Sequence, residues 1–247
     1  MPITSALQER EQEIKSSIER YAAAFGIDPN LVRGLITQES AFIAEAVSPT
    51  GAYGYGQFTG IGARQVQNIA NMADCPDPEG LDTFTKRDAD DPDVGIKAIC
   101  ATLWWLFEKK YKAVADKKVQ LEAALTFYNS GGRPAALVVR YGGHAQAVPA
   151  IQRLPRNMRS NSVKYAPQVA VWYVKWYEFM RSRETVSLPV PDPGVNPFDE
   201  QAEGIAKKYR ALVEALKLLD NEDDQVDCII NTRDGFTEVT LIFPGEV

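Results

Sequence analysis

Residues 35–42 read Leu-Ile-Thr-Gln-Glu-Ser-Ala-Phe, and they pose the question of why a glutamate stands at position 39. Upstream, Asp28 followed by Pro29 is helix-start grammar: aspartate caps the first amides, and proline fills a first-turn position where no amide donor is needed. The spacing therefore predicts a helix over Asn30 to Phe42. On that helix the residues three and four positions from Glu39 are Leu35, Ile36, Phe42 and Ile43, all apolar. A carboxylate among apolar groups loses hydration. Two outcomes are open: the carboxyl bonds to backbone at its helix end, or burial raises its pKa so that it holds a proton near neutral pH. The second state suits a general acid that protonates a leaving oxygen.

Other chemistries are poorly supplied. His144 is the only histidine, in the glycine-rich context Tyr-Gly-Gly-His-Ala-Gln, and is expected to be a loop residue. No Gly-x-Ser-x-Gly accompanies it. The stretch Gly51 to Phe58 lacks the third glycine of a dinucleotide fingerprint and the Gly-Lys-Ser/Thr of a phosphate loop. Cys75, Cys100 and Cys228 are scattered and odd in number, without Cys-x-x-Cys spacing, so free thiols are expected, with neither a disulfide scaffold nor a metal site. No cofactor is implied.

The 247 residues carry 33 acidic and 27 basic side chains, a net charge of -6 that disfavours a polyanionic partner such as nucleic acid. Residues Ala123 to Tyr177 nonetheless contain no Asp or Glu and seven Lys or Arg, from Arg133 to Lys175. The preferred reading is a solvated face balanced by Asp88, Asp90, Asp91 and Asp93; the alternative is an anion-facing groove wall. The N-terminus shows no signal-peptide pattern, and the longest apolar run, Ala98 to Phe107, is too short to span a bilayer, so no membrane insertion is expected.

Periodicity predicts a mainly α chain. Helices are expected at Gln8 to Phe25 with Gly26 as stop, near Ala63 to Met72, at Pro92 to Lys110 with a stripe of Val94, Ile99, Leu103 and Leu106, and at Val119 to Tyr128, Pro134 to Tyr141 and Ser162 to Arg181. Residues 45–62 and 73–91 read as loops. Four prolines between Thr185 and Phe198 mark a linker. The expected organisation is a helical domain over 1–184, a Pro-rich linker over 185–198, and a small region over 199–247 with a helix at Glu200 to Leu219 and a β-hairpin.

In combination, the motifs resemble the soluble lytic transglycosylases, relatives of goose-type lysozyme that cleave the glycan strands of bacterial peptidoglycan. Glu39 and Ser40 match the Glu-Ser pair whose glutamate is the family's catalytic acid and base. Gly51, Ala52, Gly54 and Gln57 match Gly-Ala-x-Gly-x-x-Gln, whose glutamine lines the sugar cleft. Tyr128, Asn129 and Gly131 match Ala-Tyr-Asn-x-Gly, in which tyrosine and asparagine hold the sugar, and Tyr165 falls where the family has the tyrosine of Glu-Thr-x-x-Tyr. The resemblance covers about Arg20 to Arg181. Three positions depart from it: Tyr55 and Gly56 replace the usual Leu-Met, Phe127 the alanine, and Asn161 and Ser162 the Glu-Thr.

The resemblance implies a lysozyme-like fold and a one-carboxylate mechanism acting on peptidoglycan glycan strands. Glu39 protonates the glycosidic oxygen and later takes the proton of the 6-hydroxyl, leaving a 1,6-anhydromuramic end. Tyr128 is expected to bond near Glu39, with Asn129 and Gln57 positioning N-acetyl sugars and Tyr165 in the cleft. Ser40 either orients Glu39 or caps the helix locally. Tyr53 and Tyr55 are candidates for stacking on sugar rings, whereas Trp104, Trp105, Trp172 and Trp176 are expected in the core. Two alternatives stand beside this reading. One is a lysozyme with a second carboxylate from Glu45 or from among Asp74 to Asp93; the other is a non-catalytic wall-binding protein of a larger particle. With no export signal in view, association with a phage virion or tail through residues 199–247 is expected, the alternative being a bacterial enzyme exported by a dedicated secretion machine; in either case the site of action is the peptidoglycan layer.

Overall fold

The computed structural model describes residues 3–155, 163–184, 227–233 and 236–242. The expected linker, the helix at Glu200 to Leu219, Asn161 and Ser162 lie outside these residues. The chain divides into two units, Met1–Arg183 and Glu184–Val247.

The first unit is helical. Thr4 caps α1 (Ser5–Phe25), which ends on Gly26 in the left-handed conformation at φ 64°. Asp28 caps α2 (Pro29–Ser40) through the amide of Asn30, as the Asp-Pro grammar predicts. Then come α3 (Gly60–Ala70), α4 (Pro92–Trp105), α5 (Lys117–Ser130), α6 (Gly132–Tyr141), α7 (His144–Gln152) and α8 (Tyr165–Glu184). In the second unit β1 (Asp227–Arg233) and β2 (Phe236–Ile242) form an antiparallel pair in which Ile230 faces Val239.

The core is built around α4. Both α1 and α3 pack on it, and Ile96, Ala98, Ile99, Cys100, Ala101 and Leu103 have no solvent exposure. The expected single apolar stripe is thus a helix enclosed on nearly all sides. Its end also differs: Leu106–Lys110 is a π-helical turn rather than a continuation of α4. Another helix, α8, crosses α2 closely. A Cβ at Gly34 would lie 2.7 Å from the Tyr173 backbone nitrogen, so only glycine permits the approach. Hydrogen bonds from the Trp176 indole to Thr37 Oγ1 (2.8 Å) and from the Tyr173 hydroxyl to Asp28 Oδ2 (2.7 Å) complete that contact.

Several expectations are corrected. Residues 73–91 contain a short 3-10 helix, Lys86–Asp90, closed by a reciprocal Thr85–Asp88 capping box. His144 is no loop residue; it opens α7 and is buried, its amide donating to Glu122 Oε2 at 2.7 Å, because that carboxylate satisfies an otherwise orphaned helix amide. The four aspartates proposed to balance the basic stretch are engaged elsewhere: Asp88 and Asp91 as caps, Asp90 with Tyr53, and Asp93 with Ser17 and Arg20. Trp104 and Trp176 are core residues as expected, while Trp105 and Trp172 are half-buried. Cys75 and Cys100 are buried free thiols.

One buried ion pair joins α1 to α2. Arg33 Nε meets Glu11 Oε1 at 2.7 Å, with both side chains almost wholly enclosed, and its Nη2 reaches Glu19 at 3.2 Å. Removing one partner strands a buried charge. Arg33→Ala is expected to destabilise the fold by about 3–5 kcal/mol, and Arg33→Met combined with Glu11→Leu to recover most of that loss, as read by urea denaturation.

Candidate active site

Glu39 stands one residue before the end of α2, and the chain reverses directly after it. Ala41 (φ 50°) and Phe42 (φ 62°) both adopt the left-handed conformation, an uncommon succession for residues with side chains. Tertiary contacts hold them. Arg10 Nη1 donates to the Ala41 carbonyl at 3.2 Å, and the Phe42 ring packs edge-on against Trp176, with centroids 5.5 Å apart. The helix therefore stops at Ser40, and Ile43 leaves the expected apolar flank at 45% exposure while Phe42 stays buried at 4%.

The following loop folds back onto the end of α2, where Ser40 meets Tyr55. Tyr53 bridges to Val47 on one side and to Phe58 on the other. Gly54, at φ 79°, sits where an added Cβ would lie 2.3 Å from the Ala89 carbonyl oxygen. Gln57 is the third non-glycine residue with positive φ (49°) among those described, and its Nε2 donates to the carbonyls of Ala46 (2.9 Å) and Gly54 (3.0 Å). The donors of that amide serve the loop itself. Ser40 Oγ donates to the Tyr55 carbonyl at 3.0 Å and to the Ile36 carbonyl at 3.3 Å. Ser40 is buried, and these bonds fasten the loop to the end of α2.

Two tyrosines face the glutamate. Tyr165, the first residue of α8, is 4% exposed and donates its hydroxyl to Glu39 Oε1. Tyr128, near the end of α5, donates instead to the Gly56 carbonyl at 3.0 Å. The expected partner of Glu39 was Tyr128; in the structure it is Tyr165, because the Tyr128 proton is taken by the backbone. Burial first, and then the charge of Glu39, raise both phenols well above their usual pKa. Glu39 itself is half-buried, and desolvation raises its pKa from 4.5 to about 7, against the opposing effect of the Tyr165 hydrogen bond. The shift comes from surroundings poor in water rather than from a neighbouring carboxylate.

Other expected residues lie elsewhere. Tyr55 is 5% exposed, so it offers no ring face for stacking, and the acids acting on its hydroxyl are Glu13, Asp90 and Asp91 rather than Glu39. Tyr53 is half-buried and donates to Asp90 Oδ2 at 2.7 Å. Asn129 is half-buried, its Oδ1 accepting from Ser130 Oγ at 2.8 Å. Glu45 is exposed and acts on Tyr53, and Asp74 pairs with Lys109. Among the described residues no group of three or more His, Cys, Asp or Glu is placed to hold a metal ion.

Gly56 stands out in the sequence as a departure from the family pattern, but its contact with Tyr128 and the Ala41–Phe42 reversal were not foreseen. The Gly-Tyr-Gly pattern was the visible signal for the first. No local signal marked the second, since neither residue type favours positive φ.

A family model described as the transglycosylase SLT domain matches residues 16–147. No curated protein matches the chain in sequence. A solved structure of an inactive mutant of the lytic transglycosylase Slt from Pseudomonas aeruginosa is similar with a TM-score of 0.48 at 16% identity, over 74% of this chain and 26% of that one.

The raised pKa of Glu39 has a consequence for stability. The folded state binds the proton more tightly than the unfolded chain, so the stability Glu39 contributes is fully present below pH 4.5 and is lost as pH rises through about 7. Glu39→Gln, which mimics the protonated form, is expected to be more stable than the wild type at pH 8, by at most about 3 kcal/mol, and equal to it at pH 4. Urea titrations of both proteins at the two pH values check this.

Proposed function

Since the chain belongs to the transglycosylase SLT domain family, we propose that it is a peptidoglycan lytic transglycosylase that cleaves the β-1,4 bond between N-acetylmuramic acid and N-acetylglucosamine, with Glu39 as acid and base. The observation that carries this reading is the state of one carboxyl group: Glu39 is desolvated, with a pKa near 7, and bonded to a tyrosine. Such a group can give a proton at neutral pH and take one back.

The reaction balances without water. Glu39 gives its proton to the glycosidic oxygen as the bond from that oxygen to C1 of muramic acid breaks. The N-acetyl carbonyl of the same sugar stabilises the anomeric carbon. The 6-hydroxyl oxygen then bonds to C1, and its proton passes to Glu39, which ends as it began. Tyr165 holds the carboxyl in place through both transfers, and orientation replaces the second carboxylate that most glycosidases use. Asn129 and the Gln57 side-chain carbonyl are the proposed contacts to the N-acetyl sugars.

The proposal extends to location. Both outer edges of the β1–β2 hairpin lack a neighbouring strand among the described residues, the arrangement that strand addition uses. Residues 199–247 are proposed as the attachment to a phage virion or tail protein, with action at the peptidoglycan layer. Proteomic detection of the chain in purified particles of its source phage supports this; its absence from them overturns it. No helix among the described residues is long and apolar enough to cross a membrane.

Mass spectrometry of muropeptides released from purified peptidoglycan tests the chemistry. Anhydro products, one water lighter than reducing ones, are expected from the wild type, with kcat/KM lowered roughly 10²–10⁴-fold in Glu39→Gln. Reducing ends would mean a hydrolase, and no release would leave a wall-binding protein. Because the acid must be protonated, kcat/KM should fall about tenfold per pH unit above the Glu39 pKa of about 7.

A further inference from the structure

Gly56 occupies a position where its backbone does not require glycine. It is not among the residues with positive φ, so any amino acid could adopt its conformation. Space is the constraint. A Cβ there would lie 2.7 Å from each of Ile99 Cγ1, Phe58 Cε2 and the Tyr128 hydroxyl oxygen, closer than Cβ atoms approach other heavy atoms. Ile99 and Phe58 are fixed in the core, at 0% and 5% exposure, and Phe58 also packs edge-on against Tyr128. Each contact must be relieved by a shift, and for the Tyr128 hydroxyl that shift means leaving the Gly56 carbonyl.

The direction of that hydrogen bond matters. A carbonyl only accepts, so the Tyr128 proton lies on the Gly56 side at 3.0 Å. The Tyr128 oxygen therefore has no proton to give toward Glu39 and can only accept there. Tyr165 has the opposite polarity, donating to Glu39. The peptide that sets this is itself held: Ser40 Oγ donates to the Tyr55 carbonyl and the Tyr55 amide donates to the Ala89 carbonyl, each at 3.0 Å. The titratable groups facing Tyr128 are Glu39, the buried thiol of Cys100 and the phenol of Tyr165.

We propose that Gly56 is a positioning residue for the reaction: its missing side chain admits the Tyr128 hydroxyl to its own carbonyl, and this bond fixes Tyr128 as a hydrogen-bond acceptor beside Glu39. The group accepted is an O–H, either that of protonated Glu39 or a sugar hydroxyl. The inference rests on the transglycosylase reading above.

The test compares wild type, Gly56→Ala, Tyr128→Phe and the double variant on purified peptidoglycan, with kcat, KM and a pH profile for each. In Gly56→Ala the displaced phenol is free to donate to the Glu39 carboxylate, which favours the ionised form. The expected result is kcat lowered about 10- to 100-fold with little change in KM, and the alkaline limb moved to lower pH. In the Tyr128→Phe background Gly56→Ala should cost much less than in the wild type, only what the contacts with Ile99 and Phe58 take. A Gly56→Ala protein with wild-type kcat and pH profile, or one that loses as much with Phe at 128 as with Tyr, overturns the proposal. Should Gly56→Ala fail to fold, Tyr128→Phe decides: lowered kcat at unchanged KM supports it, and wild-type kcat overturns it. Wild-type protein that releases no muropeptides would instead overturn the activity reading itself, a result distinct from all of these.

Discussion

A carboxyl group that is to hold a proton near neutral pH must be kept from water without being offered a cation, and the structure around Glu39 answers to that constraint. A nearby Arg or Lys would stabilise the charge and lower the pKa. Glu39 has instead the phenol of Tyr165, an uncharged donor that orients the carboxyl while burial raises its pKa. The buried guanidinium of Arg33 lies six residues earlier on the same helix but is spent on Glu11 and Glu19. One helix thus carries a neutralised ion pair and, further along, a desolvated acid.

Maintaining that environment takes elements far apart in sequence. Glu39 comes from α2, Tyr165 from the start of α8 and Tyr128 from the end of α5, and the carbonyl of Gly56 receives the Tyr128 hydroxyl. The unusual backbone is concentrated here. Ala41, Phe42 and Gln57, the described non-glycine residues with positive φ, all lie within the segment 41–57 that follows Glu39, and each is held by a hydrogen bond or a ring contact. Strain of this kind persists where the surroundings over-determine it. Here the surroundings include Trp176 of α8, which also fastens α2 through Thr37.

The helical architecture was largely legible. Asp28-Pro29, Asp91-Pro92 and Gly26 mark helix ends through local chemistry, and the structure places helix ends at each. Local chemistry also has limits visible in particular residues. His144 reads as a loop residue because it follows two glycines, yet it starts a helix capped by Glu122 from 22 positions away. The reversal at Ala41–Phe42 is dictated by what the two residues pack against, and nothing in their own preferences announces it. Tyr55 and Ser40 looked available for binding but are drawn inward by Ala89 and by each other.

By itself the sequence determined that this chain is a mainly helical member of its family and marked Glu39 as a carboxyl in an apolar stretch of helix, because helix periodicity, capping and motif order are properties of neighbours along the chain. Which tyrosine holds Glu39, which one turns its proton to the backbone, and which expected ligands are buried instead were decided only by tertiary structure. The reason is physical: hydrogen-bond direction and desolvation depend on atoms brought together from distant segments, such as Tyr165 against Glu39 across 126 positions.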